Sequence, residues 1–307
     1  VMQEIVMRAV LLGFLILLAG CQHLPSPPEG AGGIVDLRSG ARLGPEQLVR
    51  ELAGAELILV GERHDNPDHH ALQRWLLEVL QPGSLLLEML EPRQQARVDE
   101  VRARLAAGER LEDLPAALDW QPGWDWALYG ELVEYALGQP WPLMAANLDR
   151  QEIHEIYRNP PALAGGRSTA APVQQALEEQ IRVSHCNMLP ESQVPSMRAV
   201  QQQRDRRMAE RLLQAPGPAL LFAGAFHVRR DLGVPLHLAD LQGPSRTRVL
   251  ILAEAGAEVD AGQADFVWYT PSRPERDHCA RWRQSKRQAK KDPAGAGSIT
   301  VISLMRR

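Results

Sequence analysis

The chain has 307 residues, of which 45% are hydrophobic and 23% charged, and its net charge at pH 7 is -4. This length and composition suit a globular protein with a large core, built as one α/β domain or as a large and a small one. A weakly negative chain without a long basic stripe has no overall attraction to nucleic acid, so we expect no nucleic-acid partner.

The N-terminus has the pattern of an export signal. The apolar run from Leu11 to Leu18 is too short for a stable membrane span and follows a basic residue. Leu18-Ala19-Gly20-Cys21 resembles the bacterial lipobox, which implies cleavage before Cys21 and acylation of its thiol. The alternative is an ordinary signal peptide with a chance cysteine. We expect a signal peptide over 1–20 and a lipidated tether over 21–33.

The residue after the lipobox bears on location. Gln22, rather than Asp, follows Cys21 and resembles the outer-membrane sorting pattern of Gram-negative lipoproteins. The expected location is therefore the Gram-negative cell envelope, with the protein anchored by lipid at the outer membrane.

A β-α-β unit opens the folded part of the chain. Leu57–Val60 is wholly apolar, as expected for a strand that is buried on both faces. Asn66 is placed to cap a helix that runs to about Leu80, and Pro67 fits its first turn. A second apolar strand is predicted at Ser84–Met89. The short connections predict a right-handed parallel crossover.

The rest of the chain predicts more strands around a mostly helical middle. Further apolar runs predict strands at Ile34–Leu37 (an edge strand), Trp141–Asn147, Ala219–Gly224, Val249–Ala253, Phe266–Tyr269 and Ile299–Leu304. Helical patterns cover Pro45–Leu52, Pro92–Leu105, Leu111–Asp119, Leu148–Arg158, Val173–His185 and Ser196–Leu213. This order predicts an α/β fold with a mostly parallel sheet flanked by helices and a smaller helical domain inserted. The sheet domain is assigned to 34–91, 141–158 and 214–307, and the helical domain to 92–140 and 159–213.

Four apolar runs end in polar residues of the kinds that do chemistry. Glu62 and His64 follow the first run, Glu88 the second, and Asn147 and His227 two later ones. Because the carboxyl ends of parallel strands share one edge, we expect these side chains to meet. They suit either a metal site with Glu62, His64 and His227 as ligands, or the acid–base set of a hydrolase that adds Glu88. Helix capping and loop hydrogen bonds are the alternative, and no strong metal motif is present.

Two pairs of adjacent residues on helices each allow more than one role. His69 and His70 lie in a first helical turn, where the helix dipole disfavours a cation, so we expect neutral rings. We expect these rings to face solvent, with a role as ligands as the alternative. Arg204 and Asp205 point to different helix faces. Asp205, like Asn147, is expected to shape the crevice. Arg204 can reach an anionic group of a ligand or form a surface salt bridge.

Aromatic residues cluster between Trp120 and Tyr135, although they make up only 5% of the chain. The cluster fits the core of the small domain, or a flat apolar site for a macrocycle such as haem. For haem, Tyr129 is the expected iron ligand, His185 the second, and Arg204 a partner for a propionate. No Cys-x-x-Cys-His motif for covalent haem attachment is present.

The two cysteines left after Cys21, Cys186 and Cys279, form a disulfide or remain thiols, and the sequence leaves both open. The basic run from Arg281 to Lys291 is expected to be a solvated loop, with contact to acidic lipid head groups as the alternative.

Several of these residues together resemble a known family. They are Val60–His64, Leu87-Glu88, Ala146-Asn147, His185-Cys186, Gln202–Ala209 and Gly224–Pro235. In this order they resemble the ChaN-like family of haem-binding uptake lipoproteins, in a wider group with the Tiki, TraB and erythromycin-esterase proteins. The resemblance covers roughly Ala55 to Thr270.

The resemblance implies an α/β sheet domain with a smaller helical domain, in an outer-membrane lipoprotein for haem or iron acquisition. It also implies haem binding by a homodimer and an outer-membrane haem receptor as partner. In the wider group, residues matching Glu62, His64, Glu88 and His227 form a hydrolytic, sometimes metal-dependent centre. Because a shared fold does not by itself carry a shared function, we expect a binding protein rather than an enzyme. The alternative is a hydrolase, either dependent on a divalent metal or based on carboxylates.

Overall fold

The structure is a computed structural model that describes residues 24–274, 277, 279 and 280. The predicted signal peptide, Cys21, the basic run 281–291 and the strand predicted at 299–304 lie outside these residues. None of the helices among the described residues combines the length and the apolar character that a membrane span requires.

An eight-stranded sheet forms the centre of residues 24–274. Its strands are β1 (Ile34–Asp36), β2 (Arg42–Leu43), β3 (Leu57–Glu62), β4 (Ser84–Leu87), β5 (Leu143–Ala145), β6 (Ala219–Gly224), β7 (Thr247–Glu254) and β8 (Phe266–Thr270). The order across the sheet is β2-β1-β8-β7-β3-β6-β4-β5. Only the pairs β1–β2 and β1–β8 are antiparallel, which confirms the predicted, mostly parallel sheet.

The central strand β3 brings the functional residues to one edge. It pairs in parallel with β6 on one side and β7 on the other, and every residue of β3 is buried. In this register Glu62 lies opposite Gly224. Strand β4 flanks β6 on its other side, so Glu88 follows directly at the same edge. β1 was predicted to be an edge strand, but the two-residue β2 lies outside it.

Ten α-helices surround the sheet within the described residues. They are α1 (Pro45–Ala53), α2 (Pro67–Leu80), α3 (Gln95–Ala106), α4 (Leu114–Ala117), α5 (Trp126–Leu137), α6 (Arg150–Arg158), α7 (Ala171–Ser184), α8 (Val194–Gln214), α9 (Ala225–Val228) and α10 (Val234–Asp240). The predicted cap of α2 is confirmed, because the Asn66 side chain accepts hydrogen bonds from the backbone of Asp68 and His69. Single 3-10 turns at Pro92–Gln94 and Glu191–Gln193 precede α3 and α8.

The two faces of the sheet bury separate cores. Ile58 and Val60 of β3 pack with α1, α2, α3 and α5 on one face. Leu57 and Leu59 pack with the second half of α8 and with α10 on the other face. The alternation of β3 side chains thus holds a layer of helices on each side. A smaller third cluster joins α6, α7 and the first half of α8.

Residues 24–33, which we call the N-terminal strap, pack against the domain. Leu24 contacts the core on the α1–α2 face, and the Trp75 indole donates a 2.8 Å hydrogen bond to the Pro25 carbonyl. Farther along, the Gly32 amide donates to the Tyr269 carbonyl over 2.8 Å. The described part of the predicted tether is therefore bound to the body of the protein at both of its ends.

Candidate functional site

The first half of the site is an ion pair at the end of β3. Glu62 is only 2% exposed, and its Oε1 accepts a 2.6 Å hydrogen bond from His64 Nδ1. Burial alone favours a neutral imidazole, but the charge and the hydrogen bond of Glu62 outweigh it and raise the pKa of His64 to about 9. The His64 side chain is therefore an imidazolium at neutral pH.

Tyr129 of α5 completes this half of the site. Its hydroxyl donates a 2.9 Å hydrogen bond to Glu62 Oε1, and its ring meets the edge of His70 with centroids 4.3 Å apart. Tyr129 is 1% exposed, and burial together with the charge of Glu62 raises its pKa well above the ordinary value. The role predicted for Tyr129 as an iron ligand stays a prediction. It would require this hydrogen bond to open and the phenol to ionise.

The second half of the site surrounds His227, which α9 presents directly after β6. Its Nε2 lies 3.3 Å from Glu88 Oε1, and its Nδ1 contacts Asp205 Oδ1. The Gly224 amide donates a 2.8 Å hydrogen bond to Glu88 Oε2. Burial opposes a charge on His227, but the two carboxylates outweigh it and raise its pKa to about 10. The sequence predicted the meeting of Glu88 and His227; it placed Asp205 in the crevice without this partner.

The two carboxylates respond to burial in opposite ways. Burial raises the pKa of Asp205 to about 6, although His227 counteracts it. Burial also acts to raise the pKa of Glu88, but the His227 and His64 charges and the Gly224 amide hold it well below the usual range. Glu88 is therefore the carboxylate that stays ionised beside the His227 imidazolium.

Arg204 and Asn147 support this half from two sides. Arg204 is 8% exposed, so it lies in the interior rather than at the surface. Burial lowers the pKa of Arg204, against the opposing influence of Glu88 and Asp205. The Asn147 amide donates a 2.9 Å hydrogen bond to the Glu88 carbonyl and accepts one from the Leu148 amide. Asn147 thus fixes the backbone that carries Glu88.

Gly224 lies between the two halves. A Cβ atom at this position would come 2.8 Å from His64 Nε2 and 3.7 Å from Glu88 Oε2. A side chain there would have to displace the imidazole, so glycine keeps the two ion pairs close together. The expected convergence of Glu62, His64, Glu88 and His227 on one edge of the sheet is what the structure shows.

These groups neutralise one another more than they offer ligands to a cation. Among the described residues, no group of three or more His, Cys, Asp or Glu side chains is arranged to hold a metal ion. Nδ1 of His64 binds Glu62, and both ring nitrogens of His227 contact carboxylates. The free acceptors on the described carboxylates of the site are Glu62 Oε2 and Asp205 Oδ2, one in each half. The residues present therefore do not fit the divalent metal site proposed from Glu62, His64 and His227.

The prediction that His69 and His70 face solvent is wrong, since they are 1% and 4% exposed. His69 Nδ1 accepts a 2.9 Å hydrogen bond from the Arg63 amide, and Nε2 donates to Thr270 over 3.1 Å. Burial lowers the pKa of His69 to about 4, so its expected neutral state is confirmed. His70 Nε2 donates to the His64 carbonyl over 3.1 Å. Both rings therefore support the backbone around His64, a role that their helical position did not reveal.

The aromatic cluster forms one wall beside the first ion pair. Trp120, Trp124 and Trp126 pack against the core around Tyr129, with Trp120 and Trp126 edge to face at 5.1 Å. The Trp124 ring also meets the His64 imidazole edge to face at 4.9 Å. The cluster is thus part of the core, and it also limits the space around His64.

His185 lies elsewhere, at the C-terminal end of α7. Its Nδ1 donates a 2.7 Å hydrogen bond to the Ile181 carbonyl, and burial lowers its pKa. The next residue, Cys186, forms a disulfide with Cys279, which settles the alternative left open by the sequence. Whether His185 binds haem stays a prediction.

A cleft between α6 and α8 was not predicted. It encloses about 320 Å³ and has apolar walls from Leu148, Ile156 and Pro161. Its charged walls include Arg206, which is 8% exposed, and Arg207, which pairs with Glu152. The run of charges in α8 was visible in the sequence, but the packing of α6 against it was not.

Comparison with known proteins identifies the relatives of this fold. Residues 48–238 match a family described as haem-binding uptake, Tiki superfamily, ChaN. The chain is 28% identical to a structure that shows cofacial heme binding to ChaN of Campylobacter jejuni, with a TM-score of 0.74. That match covers 81% of this chain and 100% of the other.

Two other solved structures are more distant. A mutant erythromycin esterase in its open conformation is 14% identical, covers 78% of this chain and 82% of its own, and has a TM-score of 0.42. A Bacillus cereus protein is 12% identical, covers 68% of each chain and has a TM-score of 0.38. No curated protein matches the chain. On the family match and the Campylobacter structure, this chain belongs to the ChaN family of the Tiki superfamily of haem-binding uptake proteins.

Proposed function

We propose that this chain binds haem for uptake, as a lipoprotein anchored through Cys21 in the Gram-negative envelope. The observation that carries the proposal is the match over the full length of the Campylobacter ChaN structure, which is described as binding heme. The lipobox-like sequence at Cys21 supports the anchor. A homodimer and an outer-membrane receptor for haem transfer belong to the same proposal.

The walls of the α6–α8 cleft combine apolar side chains with Arg206 and Arg207, and Glu152, Glu155 and Glu210 also line it. Its volume, about 320 Å³, lies at the lower end of the range for small-molecule sites. Leu148 and Ile156 can cover part of an apolar macrocycle, while Arg207 can exchange Glu152 for a propionate. This cleft is more accessible than the buried Tyr129 side chain, which is 1% exposed.

The four tyrosines differ in how far their hydroxyls are engaged. Tyr129 donates to Glu62, Tyr135 accepts a hydrogen bond from Gln81, and Tyr269 donates weakly to a carbonyl. The hydroxyl of Tyr157 makes no hydrogen bond within the described residues, and Tyr157 follows Ile156 of the cleft wall on α6, where its ring packs against the third core cluster. A tyrosine phenolate is a known axial ligand of haem iron. Tyr157 therefore joins Tyr129 and His185 as a candidate ligand.

Titration of the mature domain with hemin, followed by the Soret band, tests this proposal. We expect a saturable shift, and a Tyr157→Phe variant that binds at least about tenfold more weakly, a loss of roughly 1.4 kcal/mol. The matched variant Tyr129→Phe also removes a single hydroxyl, and it should bind as the wild type does. A wild-type protein that leaves the Soret band unchanged would refute haem binding. A loss with Tyr129→Phe or His185→Ala alone would move the ligand to that residue.

The hydrolase alternative has less support from the geometry of the site. General-base catalysis needs a group that is free to accept a proton at the working pH. His64 and His227 are imidazolium ions at neutral pH, and each is hydrogen-bonded to a carboxylate. Glu88 is engaged by His227 and the Gly224 amide. The site therefore resembles a self-neutralised structural network more than a poised acid–base pair.

A further inference from the structure

The N-terminal strap fixes where the chain enters the folded domain. Leu24 packs against the core that α1 and α2 cover, and the Trp75 indole of α2 donates a hydrogen bond to the Pro25 carbonyl. Trp75 is itself 5% exposed and meets Trp268 of β8 edge to face at 5.4 Å. The entry point is therefore a packed contact on the α1–α2 face of the sheet.

Very little chain separates this entry point from the proposed anchor. Only Gln22 and His23 stand between Cys21 and Leu24, and three residue steps of peptide reach at most about 11 Å. We propose that the α1–α2 layer of the domain faces the bilayer at contact distance when Cys21 is acylated. This proposal rests on the lipid anchor in the proposed function, and it adds which surface of the protein meets the membrane.

The charges on this layer do not attract it to a membrane by themselves. Within these helices Arg50 pairs with Glu46 and Arg74 with Glu78, while Asp68 pairs with Arg273 and the exposed Glu51 adds a negative charge. Attraction to anionic lipid requires an excess of basic residues, which these pairs do not provide. The short connection, rather than electrostatics, therefore determines the orientation, and the protein without acyl chains should not adopt it.

The orientation turns the other layer of helices away from the bilayer. The second half of α8 packs on the opposite face of the sheet from α1 and α2. Adjacent layers are spaced by roughly 10 Å, so the axis of α8 lies about 20 Å farther from the lipid than the axis of α2. The α6–α8 cleft then opens on the side that a water-borne ligand or partner can approach.

Two matched positions allow a direct test. Glu78 of α2 and Gln214 of α8 are both exposed, and both lie near the end of a helix that leads into a parallel strand, on opposite faces of the sheet. Each is changed singly to cysteine in the full acylated protein and labelled with bimane, since Cys186 and Cys279 are joined in a disulfide. The protein is reconstituted in vesicles of phosphatidylethanolamine and phosphatidylglycerol that carry a nitroxide on a lipid head group.

We expect several-fold stronger nitroxide quenching at Glu78→Cys than at Gln214→Cys. An insert of about ten Gly and Ser residues between Cys21 and Leu24 should remove most of the difference, because it gives the domain free reach. Equal quenching at the two positions, or stronger quenching at Gln214→Cys, would overturn the proposed orientation. Quenching of a Cys21→Ser protein added to the same vesicles would also overturn the proposal, because that protein carries no acyl chains. If mass spectrometry finds no acyl chains on Cys21, the proposed orientation is refuted together with the lipid anchor. Hemin titration of the same sample tests haem binding separately.

Discussion

His227 holds two carboxylates apart in a nearly dry site. Glu88 and Asp205 are 2% and 0% exposed, and each contacts one nitrogen of the same ring. The imidazolium offsets the cost of burying the Glu88 charge, because an ion pair in a low dielectric is far less unfavourable than a lone ion. The stability of this corner of the fold therefore depends on one positive charge.

Replacement of His227 by glutamine keeps a polar side chain but removes this charge. We expect His227→Gln to lower the free energy of unfolding by about 3–5 kcal/mol, the usual cost of leaving one partner of a buried ion pair alone. Urea unfolding at pH 7, followed by circular dichroism, measures the change.

The second carboxylate provides the control for this prediction. Adding Asp205→Asn to His227→Gln removes one of the two unpaired acids, so the double variant should regain part of the lost stability. A His227→Gln protein as stable as the wild type would show that the imidazole is not charged in the folded state.

At the residue scale, the sequence predicted which strand-end side chains meet but not all of their partners. Glu62 and His64 are two residues apart on an extended backbone, so their pairing followed from local geometry. Tyr129 reaches Glu62 from 67 residues away, and His69 reaches Thr270 from 201 residues away. Such contacts depend on tertiary packing, which explains why His69 was wrongly placed in solvent.

At the element scale, β3 and α9 approach each other more closely than a side chain would allow. A Cβ atom at Gly61 would lie 2.4 Å from a Val228 methyl carbon and 2.8 Å from the Ala225 Cα. The backbone atom cannot move aside as a flexible side chain can. Glycine at this position therefore allows the short helix that carries His227 to pack directly on the central strand.

Gly61→Ala tests this close approach. We expect a loss of about 1–3 kcal/mol in the free energy of unfolding, the usual cost of overpacking a core. Gly166→Ala is the matched control, because no atom lies within 4 Å of the corresponding Cβ position and its stability should be nearly unchanged. Thermal unfolding of the two variants beside the wild type makes the comparison. Equal stability of both would mean that α9 can shift away from β3 at little cost.

The elements themselves were largely visible in the sequence, whereas their surroundings were not. The apolar run at Leu57–Val60 predicted β3, and the structure extends it through Glu62 because pairing with β6 continues to Gly224. The ladder partners of β4 were not predictable, and this strand ends at Leu87 rather than at Met89. The strap and the α6–α8 cleft left no periodic signal, because each arises from contacts between distant segments.

At the scale of the whole molecule, two groups of buried histidines make the free energy of unfolding depend on pH in opposite directions. The pKa values of His64 and His227 are raised to about 9 and about 10, so their contribution is full below about 6.5 and is lost as pH rises through those values. Burial lowers the pKa values of His69 and His237 to about 4, so their contribution to the free energy of unfolding is lost as pH falls from about 6.5 towards 4. Asp205 partly offsets the loss of stability at low pH that His69 and His237 cause, because its raised pKa adds stability at low pH.

Urea unfolding between about pH 4 and pH 10 should therefore show maximal stability near neutrality, with losses of a few kcal/mol on each side. His237→Leu separates the two limbs. Both ring nitrogens of His237 are buried without a hydrogen bond, so the change should cost little at pH 7 and should raise stability at pH 4 relative to the wild type. Loss of the alkaline limb in this variant, with the acid limb unchanged, would contradict the assignment.

The Cys186–Cys279 disulfide makes the finished protein depend on where it is made. It joins positions 93 residues apart, and Cys279 follows the last described strand, so the bond closes only after almost the whole domain has been delivered. In a reducing cytosol the same chain would keep two thiols and lack the cross-link, while an oxidising compartment supplies it. A loop of this length contributes on the order of 5 kcal/mol in the chain-entropy model. Folding outside the cytosol would therefore give the same sequence a larger free energy of unfolding.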